Sequence, residues 1–194
     1  MPLDFLIKAS VGLLPVLAFL AFLNAQEGPR MEEMAPEAGR EMMRVMGQLA
    51  DVPRGEIASV ENRTIPGPAG DIPIRIYDAR PDRDPGPVMV FYHGGGWVIG
   101  DLDTHDSICH RLAHSSGCAV VAVDYRRAPE TRFPGALDDC TAALRWIAHH
   151  AVDVDLDEQR LALCGDSAGG NLAAATALRA KREGPVVRHV ALLY

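Results

Sequence analysis

An alternation of apolar, strand-like runs with helical segments, from residue 88 to the end of the chain, constrains the fold most. Four strands are predicted in it, at residues 88–92, 118–124, 160–164 and 186–194. Three helices are predicted between them, at residues 104–114, 134–150 and 168–182. The first three strands are nearly uninterrupted apolar runs, which is typical of parallel strands buried on both faces. The pattern therefore predicts an α/β fold with a doubly wound, mostly parallel sheet.

A β-hairpin and a short helix are predicted ahead of this alternation. Residues 57–65 and 72–77 flank the turn sequence PGPAGD, which favours a strand, a turn and a second strand. Residues 36–49 begin with a proline at a plausible first helical position and place apolar residues at helical spacing. We therefore expect a helix before the hairpin.

The mostly apolar residues 3–23 allow two interpretations. A run of this kind fits a helix that covers a hydrophobic cleft, and it also fits a signal peptide or a membrane anchor. Asp4 near the N-terminus and Pro15 within the run are poor features for a signal peptide. We favour the intramolecular helix in a cytoplasmic protein, with export or membrane contact through residues 3–23 as the alternative.

Charge and cysteine spacing exclude several classes of partner and site. The formal net charge of the 194-residue chain is −7 at pH 7, so it lacks the basic surface by which proteins bind nucleic acid. Its four cysteines form no Cys-x-x-Cys pair and no matching histidine spacing, which indicates reduced thiols and not a zinc site. The sequence predicts no nucleic-acid partner, no metal and no other cofactor.

The strongest chemical signal is the sequence GDSAGG around Ser167, which joins a predicted buried strand directly to a helix. It contains G-x-S-x-G in the strand, turn and helix context that gives this motif its meaning. Gly165 and Gly169 let the chain reverse tightly, so we expect an exposed Ser167 hydroxyl. The backbone N–H of Ala168 would point to where negative charge develops on a substrate carbonyl oxygen. Asp166 is expected to be a hydrogen-bonded residue of the turn and not a base.

A second loop, HGGGW at residues 93–97, follows another predicted buried strand. The G-K-[ST] sequence of a phosphate loop does not follow it, and it does not contain the G-x-G-x-x-G of a dinucleotide site. The bare N–H groups of Gly95 and Gly96 can approach a ligand oxygen, which would make them a second wall of an oxyanion hole. Together, the two loops predict acyl transfer by a serine nucleophile.

Five ordered motifs carry a family resemblance: HGGGW at 93–97, GDLDTHD at 100–106, DYRRAPE at 124–130, FPGALDD at 133–139 and GDSAGGN at 165–171. They resemble the hormone-sensitive-lipase-like carboxylesterases, also called bacterial family IV esterases. The resemblance implies an α/β-hydrolase fold, with a helical cap over residues 1–50 and the N-terminal portion of a catalytic domain over residues 51–194. It also implies hydrolysis of a small-molecule ester with a short to medium acyl chain. The resemblance makes Ser167 the nucleophile and makes the N–H groups of Gly95, Gly96 and Ala168 the oxyanion donors.

The other residues of the two loop motifs are expected to support the site: His93, Gly94, Trp97, Gly165, Asp166 and Gly169. His93 resembles a residue that shapes the loop and is not the base. The sequence departs from the family pattern at Arg127, where leucine is usual, and at Cys164, where glycine is usual.

A catalytic acid and then a histidine follow the nucleophile along the chain of an α/β-hydrolase. After Ser167 this chain has no Asp, and it has only Glu183 and His189, neither of which ends a later strand. The histidines before Ser167 are expected on helix surfaces or in partial burial: His105, His110, His114, His149 and His150. We expect the triad Asp and His to be absent and the chain to be a fragment, with both residues encoded in roughly the next 120 codons.

One alternative of another class is a non-catalytic small-molecule binder on the same scaffold, because the plant gibberellin receptor resembles this family but lost the catalytic histidine. The intact G-x-S-x-G turn favours the enzyme. The sequence predicts no oligomeric state.

Overall fold

The computed structural model describes residues 33–50, 56–81 and 85–194, together with residues 17, 18, 21 and 25. Its contacts divide the chain into two compact units, Met1–Ala35 and Pro36–Tyr194. Most of residues 3–23 lies outside the described residues, so the choice between a cap helix and a targeting segment stays a prediction. No described helix has both the length and the apolar character needed to cross a lipid bilayer.

The larger unit contains six strands and four α-helices within its described residues. In chain order they are α1 (Pro36–Ala50), β1 (Ser59–Gly67), β2 (Gly70–Asp78), β3 (Gly86–Tyr92), α2 (Asp106–Ser116), β4 (Ala119–Val123), α3 (Gly135–His149), β5 (Leu156–Asp166), α4 (Ala168–Glu183) and β6 (His189–Leu193). Each element predicted from residue 36 onward is present, with shifted ends. The last strand is shorter than predicted and begins at His189, because residues 184–188 connect α4 to the edge of the sheet.

The strands form one sheet in the order β1-β2-β4-β3-β5-β6. Strands β1, β2 and β4 pair antiparallel, whereas β3 pairs parallel with both β4 and β5, and β5 pairs parallel with β6. The predicted mostly parallel sheet is therefore confirmed. The N-terminal hairpin adds an antiparallel edge to it.

Helices cover both faces of this sheet. Val90 and Leu163 pack on the face covered by α3 and α4, whereas Phe91 and Cys164, their neighbours along the strands, pack with Cys109 of α2 on the other face. Successive side chains of a strand point to opposite faces, so burial of both faces requires the continuous apolar runs seen in the sequence. The four cysteines are free, and Cys109, Cys140 and Cys164 are buried.

Helix α2 begins later than predicted. The Asp101 carboxylate accepts hydrogen bonds from the N–H groups of Asp103 and Thr104, at 3.2 and 2.9 Å, which forms a turn before the helix. The helix then begins at Asp106. His105 was expected on this helix, at its surface or in partial burial, and that expectation is wrong: His105 precedes the helix and is 4% exposed.

Candidate active site

Ser167 lies at the sharp turn between β5 and α4. Its φ and ψ angles are 49° and −117°, a backbone conformation that L-amino acids rarely adopt. The residue is exposed, and its hydroxyl caps no N–H group of α4. Its N–H donates a hydrogen bond of 2.9 Å to the carbonyl oxygen of Leu193, so β6 helps to hold the turn. The predicted exposure of the Ser167 side chain is confirmed.

The two glycines that flank this turn lie too close to other backbone for any side chain. A Cβ atom on Gly165 would collide with the backbone of Gly169, and one on Gly169 would collide with the carbonyl oxygen of Tyr92 in β3. The start of α4 is therefore packed directly on the end of the neighbouring strand.

The glycine-rich loop after β3 presents free backbone donors. Gly95 and Gly96 have φ angles of 116° and 59°, which glycine adopts without strain. The carbonyl oxygen of Gly95 accepts hydrogen bonds from Val98 and Ile99, at 3.0 and 2.9 Å, and closes the loop. Within the described part of the chain, the N–H groups of Gly95 and Gly96 have no hydrogen-bond acceptor.

A third donor is the N–H of Ala168, the first residue of α4, which has no acceptor outside the helix among the described residues. The first N–H groups of a helix have no acceptor within the helix, and the N-terminal end carries a partial positive charge. The N–H groups of Gly95, Gly96 and Ala168 are therefore all available to bind an oxygen that gains negative charge.

Asp166 connects the two loops. Its Oδ1 atom accepts a hydrogen bond of 2.9 Å from the N–H of Gly94, and a Cβ atom on Gly94 would overlap its Oδ2 atom. Burial acts to raise the pKa of Asp166, but hydrogen bonding and charge from His105, together with the Gly94 N–H, bring that pKa below its ordinary value. Asp166 is a hydrogen-bonded residue of the turn, as predicted.

His93 is buried beneath the loop that it begins. Its ring stacks on Tyr125 with 4.2 Å between centroids, and its Nδ1 atom lies 2.8 Å from the carbonyl oxygen of Gly94. The Tyr125 hydroxyl donates a hydrogen bond of 2.6 Å to the His93 carbonyl oxygen. Burial lowers the pKa of His93 to about 4, so the ring is neutral at pH 7 with its hydrogen on Nδ1.

Sequence reasoning missed the position of His105. Its Nε2 atom lies 3.5 Å from Asp166 Oδ2, and its ring centroid lies 5.4 Å from that of His93. The one local signal was Asp101, the first aspartate in GDLDTHD. Aspartate side chains form turns by accepting hydrogen bonds from backbone N–H groups two or three residues further along the chain. That turn places His105 before the helix and not on its surface.

The histidines of the described residues make their contacts away from the exposed serine. All seven histidines lie in the described part of the chain, and none is hydrogen-bonded to Ser167. His110 Nε2 lies 3.7 Å from Asp106 Oδ2, and His150 Nδ1 lies 2.9 Å from the carbonyl oxygen of Trp146. The remaining three are exposed: His114, His149 and His189. Glu183, also exposed, forms an ion pair with Arg145.

Helix α1 is attached to the glycine-rich loop through Arg40, a second residue that sequence reasoning missed. Its Nε donates to the carbonyl oxygen of Val98 at 2.8 Å, and one terminal nitrogen donates to that of Ala128 at 3.0 Å. The guanidinium also binds both carboxylate oxygens of Glu130 at 2.8 Å. The departure from the family pattern at Arg127 adds a link, since its guanidinium donates to the carbonyl oxygen of Gly100.

An apolar cavity of about 380 Å³ adjoins the glycine-rich loop. Gly96 and Trp97 form one wall, and Leu137 of α3 with Leu172 and Ala175 of α4 form another. Mostly apolar walls of this kind suit an uncharged organic group. Among the described residues, no group of three His, Cys, Asp or Glu side chains is placed to hold a metal ion.

Comparisons with known proteins agree with this geometry. The sequence pattern of the alpha/beta hydrolase fold matches residues 89–194. The chain is 46% identical over 150 residues to Esterase LipI of Mycobacterium tuberculosis, covering 74% of this chain and 47% of that protein. It is 44% identical over 128 residues to ethyl acetate hydrolase of Pseudomonas putida, covering 63% of this chain and 40% of that protein.

A solved structure, the hyperthermophilic esterase from the archaeon Pyrobaculum calidifontis, superposes with a TM-score of 0.83 at 41% identity. The superposition covers 91% of this chain and 56% of that one. The chain thus spans about half the length of the curated relatives it matches.

Proposed function

Because the chain belongs to the family of proteins with the alpha/beta hydrolase fold, we propose that it carries the nucleophile and the oxyanion hole of a carboxylic-ester hydrolase. The observation that carries this proposal is the exposed Ser167 at positive φ, between β5 and α4, beside the loop that has free N–H groups. The names of the similar proteins, an esterase and an ethyl acetate hydrolase, support an ester as substrate.

In the proposed reaction, the Ser167 oxygen attacks the ester carbonyl carbon while a base takes the hydroxyl proton. The carbonyl oxygen becomes negative and accepts hydrogen bonds from the N–H groups of Gly95, Gly96 and Ala168. The alcohol leaves with a proton, and water then releases the acid from the acyl-serine. A serine needs an imidazole for this step, and we propose that a histidine outside these 194 residues supplies it.

The apolar cavity is the proposed site for the hydrocarbon part of the ester. It shares Gly96 with the proposed oxyanion hole and includes Asn171, whose N–H donates to the carbonyl oxygen of Ser167 at 3.1 Å. An alkyl group held there would stay close to a carbonyl bound at Ser167. This proximity supports short to medium chain esters as substrates. The exposed Ser167 beside the free N–H donors favours the enzyme over the non-catalytic binder.

The proposal is tested by hydrolysis of p-nitrophenyl butyrate by the full-length gene product. Ser167→Ala should leave at most the residual rate that an oxyanion hole alone supports, on the order of a thousandfold over water. Ser115→Ala is the matched control, because Ser115 is an exposed serine of α2, and its activity should equal that of the wild type. Wild-type turnover in Ser167→Ala would refute the nucleophile assignment.

A further inference from the structure

The imidazole of His105 is buried beside Asp166, the residue that precedes Ser167, and takes no part in the proposed bond-making steps. Its Nε2 atom is 3.5 Å from Asp166 Oδ2, and its Nδ1 atom is 3.0 Å from the hydroxyl oxygen of Thr104. Phe91 flanks the ring with 6.2 Å between centroids. The large majority of buried polar side-chain atoms in proteins have hydrogen-bond partners.

The surroundings of His105 determine where its hydrogen lies. A neutral ring with its hydrogen on Nδ1 would direct the Nε2 lone pair at the Asp166 carboxylate, which also carries lone pairs. A ring with a hydrogen on Nε2 directs that hydrogen toward the carboxylate, 3.5 Å away. Its Nδ1 lies 3.0 Å from the hydroxyl oxygen of Thr104, and that hydroxyl donates its own hydrogen to the carbonyl oxygen of Asp101. The carboxylate beside Nε2 therefore favours a hydrogen on that nitrogen, facing Asp166.

The carboxylate that His105 contacts also fixes the residue before the proposed oxyanion donors. Asp166 Oδ1 accepts from the N–H of Gly94, while the carbonyl oxygen of Gly94 accepts from Nδ1 of His93. Both polar groups of Gly94 are thus held by buried or half-buried side chains. Rotation of the Asp166 carboxylate would release one of them, directly before Gly95 and Gly96.

We propose that His105 is a positioning residue: by donating from Nε2 to Asp166 Oδ2, it holds the carboxylate in the orientation that fixes the Gly94 N–H and, through it, the oxyanion loop. This inference rests on the proposed function for its catalytic meaning. The contacts themselves exist whether or not the chain hydrolyses esters.

The charge around Asp166 makes the contact measurable by titration. Of the described residues, the titratable groups that face Asp166 are His105, Cys109 of α2, Cys164 of β5 and Tyr125 after β4. Burial raises the pKa of both thiols and of the Tyr125 phenol, so these three are neutral in acid. Only His105 lowers the pKa of Asp166 by its charge, so removal of its imidazole should raise that pKa.

The experiment is amide NMR of the full-length gene product, with the Gly94 N–H as reporter. In His105→Phe, which keeps a ring but loses the donor, the exchange of this N–H should accelerate tenfold to about a hundredfold, the effect of losing a hydrogen bond to a charged group. The midpoint of its chemical-shift titration should move to higher pH. His105→Gln keeps a donor near the position of Nε2 and should restore slow exchange.

His110→Gln is the matched control. His110 lies in α2 beside Asp106, so this substitution should leave the Gly94 signal unchanged. In the full-length gene product, His105→Phe should lower kcat about tenfold with little change in KM, since the loop donors act mainly in the transition state. A failure of the proposed function would abolish the kcat effect and leave the Gly94 result intact.

Three outcomes would overturn the inference. They are an unchanged Gly94 signal in folded His105→Phe, exchange as fast in His105→Gln as in His105→Phe, and a persisting Gly94 titration in Asp166→Asn, whose amide does not titrate. If His105→Phe does not fold, the His105→Gln and Asp166→Asn results decide the question. Slow exchange of the Gly94 N–H in His105→Gln and loss of its titration in Asp166→Asn would support the positioning role of His105.

Discussion

Arg40 donates a hydrogen bond from Nε to the carbonyl oxygen of Val98 at 2.8 Å, which attaches a helix outside the sheet to the loop of the proposed oxyanion donors. The same guanidinium holds Ala128 and Glu130 in the loop after β4. A planar group with five donors can bind three acceptors at once, whereas a lysine ammonium on a flexible stem cannot reproduce that geometry. Helix α1 is therefore part of the support of the site.

Arg40→Lys should lower the free energy of unfolding by about 1–2 kcal/mol, because it loses several part-buried hydrogen bonds while keeping the charge. Turnover should fall several-fold through a looser loop. Urea unfolding and p-nitrophenyl butyrate hydrolysis measure the two effects. Arg132→Lys changes an exposed arginine in the same way and should alter neither. Equal unfolding midpoints for Arg40→Lys and the wild type would contradict the support role.

Gly169→Ala should destabilise the protein by about 4 kcal/mol or more, since the added methyl group collides with the carbonyl oxygen of Tyr92 at the centre of the fold. Gly47→Ala is the control, because a Cβ atom there meets nothing within 4 Å in helix α1. That change should stabilise the protein by about 0.5–1 kcal/mol. Denaturant unfolding of both variants checks the prediction. A free energy of unfolding for Gly169→Ala equal to that of the wild type would refute the close packing of the turn.

The low pKa of His93 predicts a loss of stability in mild acid. The unfolded chain takes up a proton at His93 near pH 6.5, whereas the folded protein does so only near pH 4, so the free energy of unfolding falls as the pH falls between these values. The free energy of unfolding should fall by about 3 kcal/mol over this pH interval. His93→Asn should flatten the curve measured by urea unfolding, and the exposed His114→Gln should not. The same slope in all three proteins would contradict the assignment.

Filling the apolar cavity should change the preference for chain length. Each methylene that enters an apolar site gains about 0.8 kcal/mol, so kcat/KM should rise about fourfold per carbon from acetate to butyrate esters. Ala175→Phe should remove this rise and preserve acetate hydrolysis, because Ala175 lines the cavity. Leu178→Phe on the exposed side of α4 is the control. A rise that survives in Ala175→Phe would place the hydrocarbon chain elsewhere.

The sheet, the helices between its strands and the turn at Ser167 could be predicted because their signals are local. Continuous apolar runs specify strands buried on both faces, and Gly165 and Gly169 specify a turn that excludes side chains. Each signal lies within a few residues of the structure that it determines.

The roles of His105 and Arg40 could not be predicted in the same way. His105 meets Asp166, which lies in another element of the sequence, and the guanidinium of Arg40 binds a carbonyl oxygen 58 positions along the chain. Backbone carbonyl acceptors leave no trace in the sequence at all. Only the packing of α1 and of the segment before α2 against the loops brings these atoms together.

The central claim, that Ser167 is the nucleophile, is tested most directly by treating the full-length gene product with a fluorophosphonate and locating the adduct by mass spectrometry. A fluorophosphonate reacts with a serine whose hydroxyl is activated and lies beside an oxyanion hole. We predict one adduct, on Ser167, that Ser167→Ala abolishes and Ser115→Ala retains. An adduct on another residue, or none in a folded full-length protein, would contradict the account.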